Sequence, residues 1–220
     1  MVFLKEKVRA KKVLAELKSH YPSVPLLFLN YTTDAQMLCA IILSAQSTDA
    51  QINKLSKTLF KKYKTAKDFA SADLKTFERE IRSTGYYRQK ARNVINCFKL
   101  ILQNHGGKVP LTMMELIALP GVGRKTANLV LANKGIVEGV AVDTHVWRLS
   151  LRLGFSVYNN PQKIEQDLML LFDKKYWAKI NGLLISHGRA VCTARNPSCD
   201  KCFLNSGGLC PKIGLPKTSI

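Results

Sequence analysis

The segment Leu119-Pro-Gly-Val-Gly-Arg-Lys-Thr-Ala127 places a tight glycine turn between two stretches of helical pattern. Its glycines, Gly121 and Gly123, permit positive φ and let a ligand approach the backbone closely. The N–H groups of the turn and of the helix that follows have no helical partner, so they form an anion site suited to phosphate. A glycine turn by itself is also typical of an ordinary connection between two helices that binds no ligand.

Two cations follow the glycines, and they favour a functional interpretation. Arg124 and Lys125 fall in the first helical turn, where the helix dipole disfavours a cation by about 0.3–1 kcal/mol. A purely structural helix more often begins with Asp or Glu. The dipole also favours a neutral amine, the form that a Schiff-base lysine requires. We therefore interpret Lys125 as a candidate nucleophile and Arg124 as a phosphate ligand.

A second motif, Val142-Asp-Thr-His-Val-Trp-Arg148, follows Lys125 along the chain. Taken alone, Asp143 is best interpreted as the N-cap of a helix that Gly154 ends. Capping does not exclude chemistry, because backbone N–H groups hold a carboxylate ionised and oriented. Beside a nucleophilic lysine, Asp143 could accept a proton or stabilise a developing oxocarbenium charge.

Four cysteines near the C-terminus have the spacing of one metal centre: Cys192-x6-Cys199-x2-Cys202-x7-Cys210. The spacing leaves tetrahedral zinc and a 4Fe–4S cluster equally open. Disulfides are disfavoured, because no secretory signal is visible in the N-terminal sequence and we expect thiols of the cytosol to stay reduced. The other two cysteines, Cys39 and Cys97, lie in apolar helical segments and are predicted core residues.

The remaining sequence predicts an all-α fold, because apolar residues recur at helical spacing and strand signals are scarce. Short turns separate the segments. The predicted helices cover residues 5–19, 33–45, 49–63, 73–82, 88–104, 111–118, 124–133, 144–153, 161–172 and 176–190.

Charge and hydropathy indicate which kinds of molecule this protein could bind. Lys and Arg total 34 against 15 Asp and Glu, a net charge of +19, and 46% of the residues are hydrophobic. Such an excess favours a polyanion, either nucleic acid or an anionic membrane surface, although a solvated lysine-rich surface is the simpler explanation. The longest apolar run, Met37–Leu43, is far shorter than the roughly 20 residues that span a bilayer. We expect a cytoplasmic protein of a bacterial or archaeal cell, associated with its nucleoid and with no membrane partner.

Four segments together resemble the endonuclease III family of DNA glycosylases. They are LPGVGRKTAN, VDTHVWRLSLRLG, ILSAQSTD at 42–49 and HGRAVCTARNPSC at 187–199. The resemblance implies a bifunctional DNA glycosylase and AP lyase of base excision repair. Its expected substrate is double-stranded DNA that contains oxidised pyrimidines or abasic sites, and its expected state is a monomer.

The resemblance also implies a two-lobed helix-hairpin-helix fold. Residues 27–137 would form a six-helix barrel lobe, and residues 1–26 with 138–220 an iron–sulfur cluster lobe, with the DNA groove between them. Cys192, Cys199, Cys202 and Cys210 would then bind a 4Fe–4S cluster that shapes a basic DNA-binding loop.

Individual residues of this chain match functional positions in the family pattern. Lys125 falls on the nucleophile and Asp143 on the catalytic aspartate, while Gly121 and Gly123 fall on the hairpin that grips phosphate. Gln46 matches the glutamine that enters the gap left by the flipped base.

Two further positions are implied as DNA contacts, His145 and, in the cysteine loop, Arg195. The cysteine loop departs from the pattern, because its last spacing is x7 where relatives usually have x5. Asn196 and Ser198 also make this loop less basic than in many relatives, leaving Arg195 and Lys201 as its cations.

Tyr86 is the other departure, since it stands where many relatives carry a leucine wedge. An aromatic ring at this position could stack in the duplex, so Tyr86 is a predicted DNA contact that leaves the opposite-base preference open.

Two rival functions follow from the same residues. A monofunctional mismatch glycosylase of this fold would typically replace Lys125 with Ser or Tyr. A non-catalytic DNA-binding module with a zinc site would bind duplexes in a salt-dependent way, without lesion preference or strand cleavage.

Overall fold

The computed structural model describes residues 2–215, and this part of the chain contains α-helices and short 3₁₀ turns but no β-strand. The predicted all-α class is confirmed. The α-helices, α1–α12, are Val2–His20, Asp34–Leu43, Asp49–Lys62, Ala66–Ala70, Leu74–Glu80, Tyr87–His105, Met113–Ile117, Arg124–Asn133, Thr144–Arg152, Pro161–Leu171, Trp177–Ala190 and Phe203–Ser206.

Most helices follow an N-cap residue whose side chain accepts a hydrogen bond from a backbone N–H group of the first turn. Because these caps are local signals, the predicted helix starts lie close to the observed ones. Such caps are Thr33, Thr48, Thr65, Asp73, Thr112, Asp143 and Asn160. Two short helices, α4 with five residues and α12 with four, were not predicted from the sequence. A capping box between Thr65 and Asp68 was the available signal for α4.

The chain divides into two compact units. One is continuous, Leu27–Ile136, and the other combines the residues up to Leu26 with those from Val137 onward. Residue 1 and residues 216–220, the ends of the predicted cluster lobe, lie outside the described residues.

The continuous unit is built around α2, in which every residue from Ala35 to Leu43 is buried. A cluster of stacked and edge-on rings fills the space beside α6: Tyr63, Phe69, Phe77 and Phe98. Burying each phenylalanine contributes about 1.5–3 kcal/mol. Cys39 and Cys97 lie fully buried here, and burial raises the pKa of the Cys97 thiol to about 12, as expected of unreactive core cysteines.

The discontinuous unit packs α1, α9, α10 and α11 around one apolar core. Gly182 lets the segment that contains Val24 and Pro25 pack directly against α11. A Cβ at position 182 would lie 2.5 Å from Val24 Cγ1 and 2.8 Å from the carbonyl oxygen of Pro25. Within the described chain, no helix combines the length and apolar character that crossing a bilayer requires.

Candidate active site and cysteine centre

The glycine hairpin connects α7 to α8 and is anchored by buried Leu119 and Val122. Gly121 has φ +79°, and a Cβ on it would lie 2.9 Å from the Cβ of Asn93. Both the backbone conformation and the neighbouring side chain therefore require glycine at this position.

Gly123 differs from the expectation for a glycine turn. It is the N-cap of α8 with φ −96° and ψ 176°, an extended conformation that any residue can adopt, so the positive φ that glycine permits is not used here. A Cβ on Gly123 would meet nothing within 4 Å. The protein itself thus gives no reason for glycine at this exposed position, and the first N–H groups of α8 receive no side-chain cap from it.

Arg124 and Lys125 occupy the first turn of α8, where no acidic residue is present. Arg124 is exposed and Lys125 is half-buried, and both lie at the positive end of the helix dipole. The hairpin thus brings together four predicted residues, Gly121, Gly123, Arg124 and Lys125, as a patch of donors and cations suited to a phosphate chain.

Asp143 is the N-cap of α9, as predicted. Its Oδ1 accepts bonds from the backbone N–H groups of His145 at 2.9 Å and Val146 at 2.8 Å. Both bonds end on Oδ1, so Oδ2 takes no part in the cap and the half-buried carboxylate has a second oxygen for other chemistry. The same two bonds fix the orientation of the carboxylate.

Two arginines on α9 bind the cysteine segment, and neither was predicted from the sequence to have a role. Arg148 Nη2 donates to the carbonyl oxygens of Gly188 at 3.1 Å and Cys192 at 3.0 Å, and lies 3.2 Å from Nδ1 of His145. Arg152 donates to the carbonyl oxygens of Thr193 at 2.7 Å and Ala194 at 2.8 Å. The helix that carries Asp143 is therefore attached to the first cysteine loop.

Cys192, Cys199, Cys202 and Cys210 all line one pocket in this unit, together with buried apolar residues of α9 and α12. In residues 2–215, no three His, Cys, Asp or Glu side chains converge on a point suited to a single ion; the four thiols instead surround the pocket. Burial raises the pKa of the Cys202 and Cys210 thiols, and coordinated iron would offset this because a coordinating thiol is deprotonated. A set of four thiols fits an iron–sulfur cluster.

His187 of α11 closes one side of this pocket, and its role was also missed. The side chain is 2% exposed, its Nε2 lies 3.6 Å from Cys202 Sγ, and its Nδ1 lies 3.1 Å from the Tyr21 hydroxyl. The ring of Phe203 packs edge-on against the imidazole. A buried, fully bonded imidazole of this kind orients the cysteine beside it.

The other predicted DNA contacts divide between the two units. Gln46 and Tyr86 are exposed in the continuous unit, and both have positive φ, +54° and +46°. Arg195 is exposed in the cysteine loop and His145 is half-buried on α9, so both belong with Asp143 to the discontinuous unit.

Two family descriptions match the chain. Residues 39–174 match the HhH-GPD superfamily base excision DNA repair protein family, and residues 192–207 match the iron–sulfur binding domain of endonuclease III. The second match contains Cys192, Cys199 and Cys202 and ends before Cys210. The predicted iron–sulfur cluster is thereby confirmed over zinc.

Endonuclease III from Synechocystis sp. is 46% identical to this chain, with 94% of this chain and 93% of that protein covered, and endonuclease III from Escherichia coli is 34% identical, with 90% and 93% covered. A solved structure of a trapped endonuclease III–DNA covalent intermediate is 39% identical, with a TM-score of 0.88 and 94% and 96% covered. A thermostable thymine-DNA glycosylase has a TM-score of 0.78 but only 22% identity, which shows the fold alone. The resemblance seen in the sequence is confirmed: the chain belongs to the HhH-GPD superfamily of base excision DNA repair proteins and, within it, to the endonuclease III family.

Proposed function

We propose that this protein is a bifunctional DNA glycosylase and AP lyase of base excision repair. The observation that carries the proposal is the placement of Lys125 directly after the glycine hairpin, in the first turn of α8. A chain of this family that only removed bases would have no need of an amine there. The net charge of +19 supplies the general attraction to DNA.

Binding must first expose the damaged nucleotide, because a base inside a duplex cannot be reached. Flipping costs a few kcal/mol, and phosphate contacts offset this cost without reading sequence. We assign those contacts to the backbone of Gly121 and Gly123 and to Arg124. Gln46 and Tyr86 enter the duplex at the gap, and His145 and Arg195 contact the DNA from the other unit.

The amine of Lys125 then attacks C1′ of the deoxyribose. A bond forms between Nζ and C1′ while the bond between C1′ and the base breaks, and the base leaves with the bonding pair and takes up a proton. The carboxylate of Asp143 stabilises the positive charge that develops on the sugar and accepts the proton of the attacking amine. Opening of the sugar ring gives a Schiff base.

Strand cleavage follows by β-elimination from this Schiff base. A proton leaves C2′ and the bond between C3′ and its phosphate oxygen breaks, which cuts the strand 3′ to the lesion. Water then hydrolyses the imine and releases Lys125 as a free amine, so no external oxidant or reductant is needed.

The cluster is held by Cys192, Cys199, Cys202 and Cys210. When bound, it supplies a rigid cross-link for the loop that carries Arg195 and takes no part in the steps above. Within the fold, we propose Leu27–Ile136 as the barrel lobe and the discontinuous unit as the cluster lobe. We further propose oxidised pyrimidines as substrates, a monomeric state and a cytoplasmic location.

Borohydride trapping tests the proposal. Wild-type protein with a duplex that contains an abasic site should give a covalent adduct, and Lys125→Ala should give none while still binding the duplex. Lys57→Ala, which removes an exposed lysine from α3, is the matched control and should trap normally. An undiminished adduct with Lys125→Ala would overturn the role of Lys125, and no adduct with wild-type protein would overturn the lyase activity.

A further inference from the structure

Lys90, in the first turn of α6, is a buried cation. Only 5% of its surface is exposed, although lysine is almost never fully buried unless it is paired. Taking an ammonium out of water costs several kcal/mol unless polar partners replace the solvent. The position therefore needs an explanation beyond packing.

Three neutral oxygens surround the Lys90 ammonium. Nζ donates to the carbonyl oxygens of Leu43 at 2.8 Å and Thr84 at 2.6 Å, and to the hydroxyl of Ser47 at 2.9 Å. An ammonium has three N–H donors, and here each one has an acceptor. Bonds from an ionised donor are about twice as strong as neutral ones.

These acceptors lie in, or at the border of, two separate loops of the continuous unit. Leu43 and Ser47 flank the turn that contains Gln46, and Thr84 lies two residues before Tyr86. The Ser47 hydroxyl also donates to the carbonyl oxygen of Thr84. One nitrogen thus ties together the loop that presents Gln46 and the loop that presents Tyr86.

Both loops hold their exposed residue in an unfavourable backbone conformation. Gln46 has φ +54° and Tyr86 has φ +46°, and Lys212 is the only other non-glycine residue with positive φ in the described chain. Such a conformation is strained for a residue with a side chain and persists only where the surroundings impose it. Tyr86 is also 72% exposed, so its ring contributes little to the core.

Stability alone does not explain a lysine at this position. Replacing buried ionic groups by well-packed apolar residues is often neutral or stabilising. What an apolar residue cannot provide is three simultaneous bonds to two loops. The geometry therefore favours a role in loop placement.

We propose that Lys90 is a positioning residue, which fixes residues 43–47 and 84–86 so that Gln46 and Tyr86 enter the duplex together when a nucleotide is flipped out. This inference rests on the proposed function and adds to it a residue that touches no DNA. Burial lowers the pKa of Lys90 to about 8, so near pH 7 the side chain is still an ammonium with three protons to donate.

The test compares Lys90→Met with Gln36→Met. Gln36 is the matched control, because it is 1% exposed, lies in the same unit and donates to the carbonyl oxygens of Phe60 and Tyr63, both at 3.0 Å. Each variant removes a buried donor to backbone carbonyl oxygens, but the Gln36 bonds end on α3 and its C-cap and not on the loops that present Gln46 and Tyr86. Both proteins are assayed on a duplex with thymine glycol and on a single strand with an abasic site, where no gap has to be filled.

Lys90→Met should lose about 10- to 100-fold in kcat/KM on the duplex, since misplaced groups cost this much, and less than twofold on the single strand. Gln36→Met should change both activities by the same factor. Equal losses on both substrates with Lys90→Met, or no loss on either, would overturn the proposal. Wild-type protein that traps no abasic DNA would instead refute the proposed function.

A fluorescent readout detects the insertion directly. With 2-aminopurine opposite a stable abasic analogue, wild-type protein should unstack the probe and raise its emission, and Lys90→Met should leave most of the emission quenched at saturating protein. If Lys90→Met does not fold, Ser47→Ala removes one of the three acceptors and should show a smaller defect of the same kind. Full emission with the folded variant would contradict the proposal.

Discussion

Arg152 Nη1 lies 3.4 Å from Sγ of Cys192, and this contact joins the last turn of α9 to the first cysteine of the iron–sulfur site. Because Asp143 caps the start of α9, one helix has the candidate catalytic carboxylate at its N-terminus and a contact with the cysteine segment at its last turn. The cysteine loop and the active-site helix are therefore coupled through Arg152.

Arg152→Met should weaken both the cluster loop and the fold around it. The change removes two bonds from a charged donor to the carbonyl oxygens of Thr193 and Ala194, each worth about 1.5–3 kcal/mol. We expect less iron per protein by metal analysis and a lower midpoint in urea unfolding. Arg79→Met is the control, since exposed Arg79 bonds to Thr76 on its own helix and should change stability by about 0.5 kcal/mol or less. Unchanged iron content in Arg152→Met would argue against the coupling.

Asp143→Asn should separate catalysis from capping. Asparagine caps helices as well as aspartate, so the bonds to the N–H groups of His145 and Val146 can persist and thermal stability should change little. The charge is lost, and we expect base release to slow by about 10²- to 10⁴-fold in single-turnover assays. Asp143→Ala should lose about 1 kcal/mol of stability as well. Near-normal activity with Asn would restrict Asp143 to capping.

Gly123→Ala should weaken DNA binding without destabilising the protein. A Cβ at this position meets no neighbour and φ is negative, so the unfolding midpoint should not fall. The added methyl group would, however, stand where a phosphate approaches the hairpin, and the duplex Kd should rise several-fold in fluorescence anisotropy. Gly121→Ala provides the contrast, because its positive φ and the contact with Asn93 predict lost stability too. Wild-type affinity in Gly123→Ala would exclude phosphate contact there.

Lys90 should make stability depend on pH in the alkaline range. Its pKa in the folded protein is about 8, below the ordinary value of 10.5. Between these values the unfolded chain binds the proton and the folded protein does not, so the free energy of unfolding rises with pH. Below about pH 8 the cost of burying the charge is present in full. Wild-type protein should therefore gain stability relative to Lys90→Met between about pH 8 and pH 10.5 in urea titrations. A difference that falls over this range would contradict the assignment.

The helices were predictable because their signals are local. Asp143 and Asn160 each stand immediately before a helix and accept bonds from N–H groups two and three residues ahead. The short α12 escaped detection because four residues provide too little periodicity to recognise. The conformation of Gly123 could not be predicted either, because a glycine in a turn indicates freedom of the backbone but does not determine which φ is used.

Candidate residues for the chemistry of the site could be proposed from residue types and spacing. Lys125 after a glycine turn, an aspartate cap and four spaced cysteines each lie within a short segment, so their meaning does not depend on distant partners. The supporting residues could not be identified in this way. Lys90 bonds to Leu43 and Ser47, which are 47 and 43 positions away, and Arg152 reaches Cys192 across 40 positions. Only chain folding brings such groups together, because a buried donor is defined by the oxygens around it and not by its neighbours in sequence.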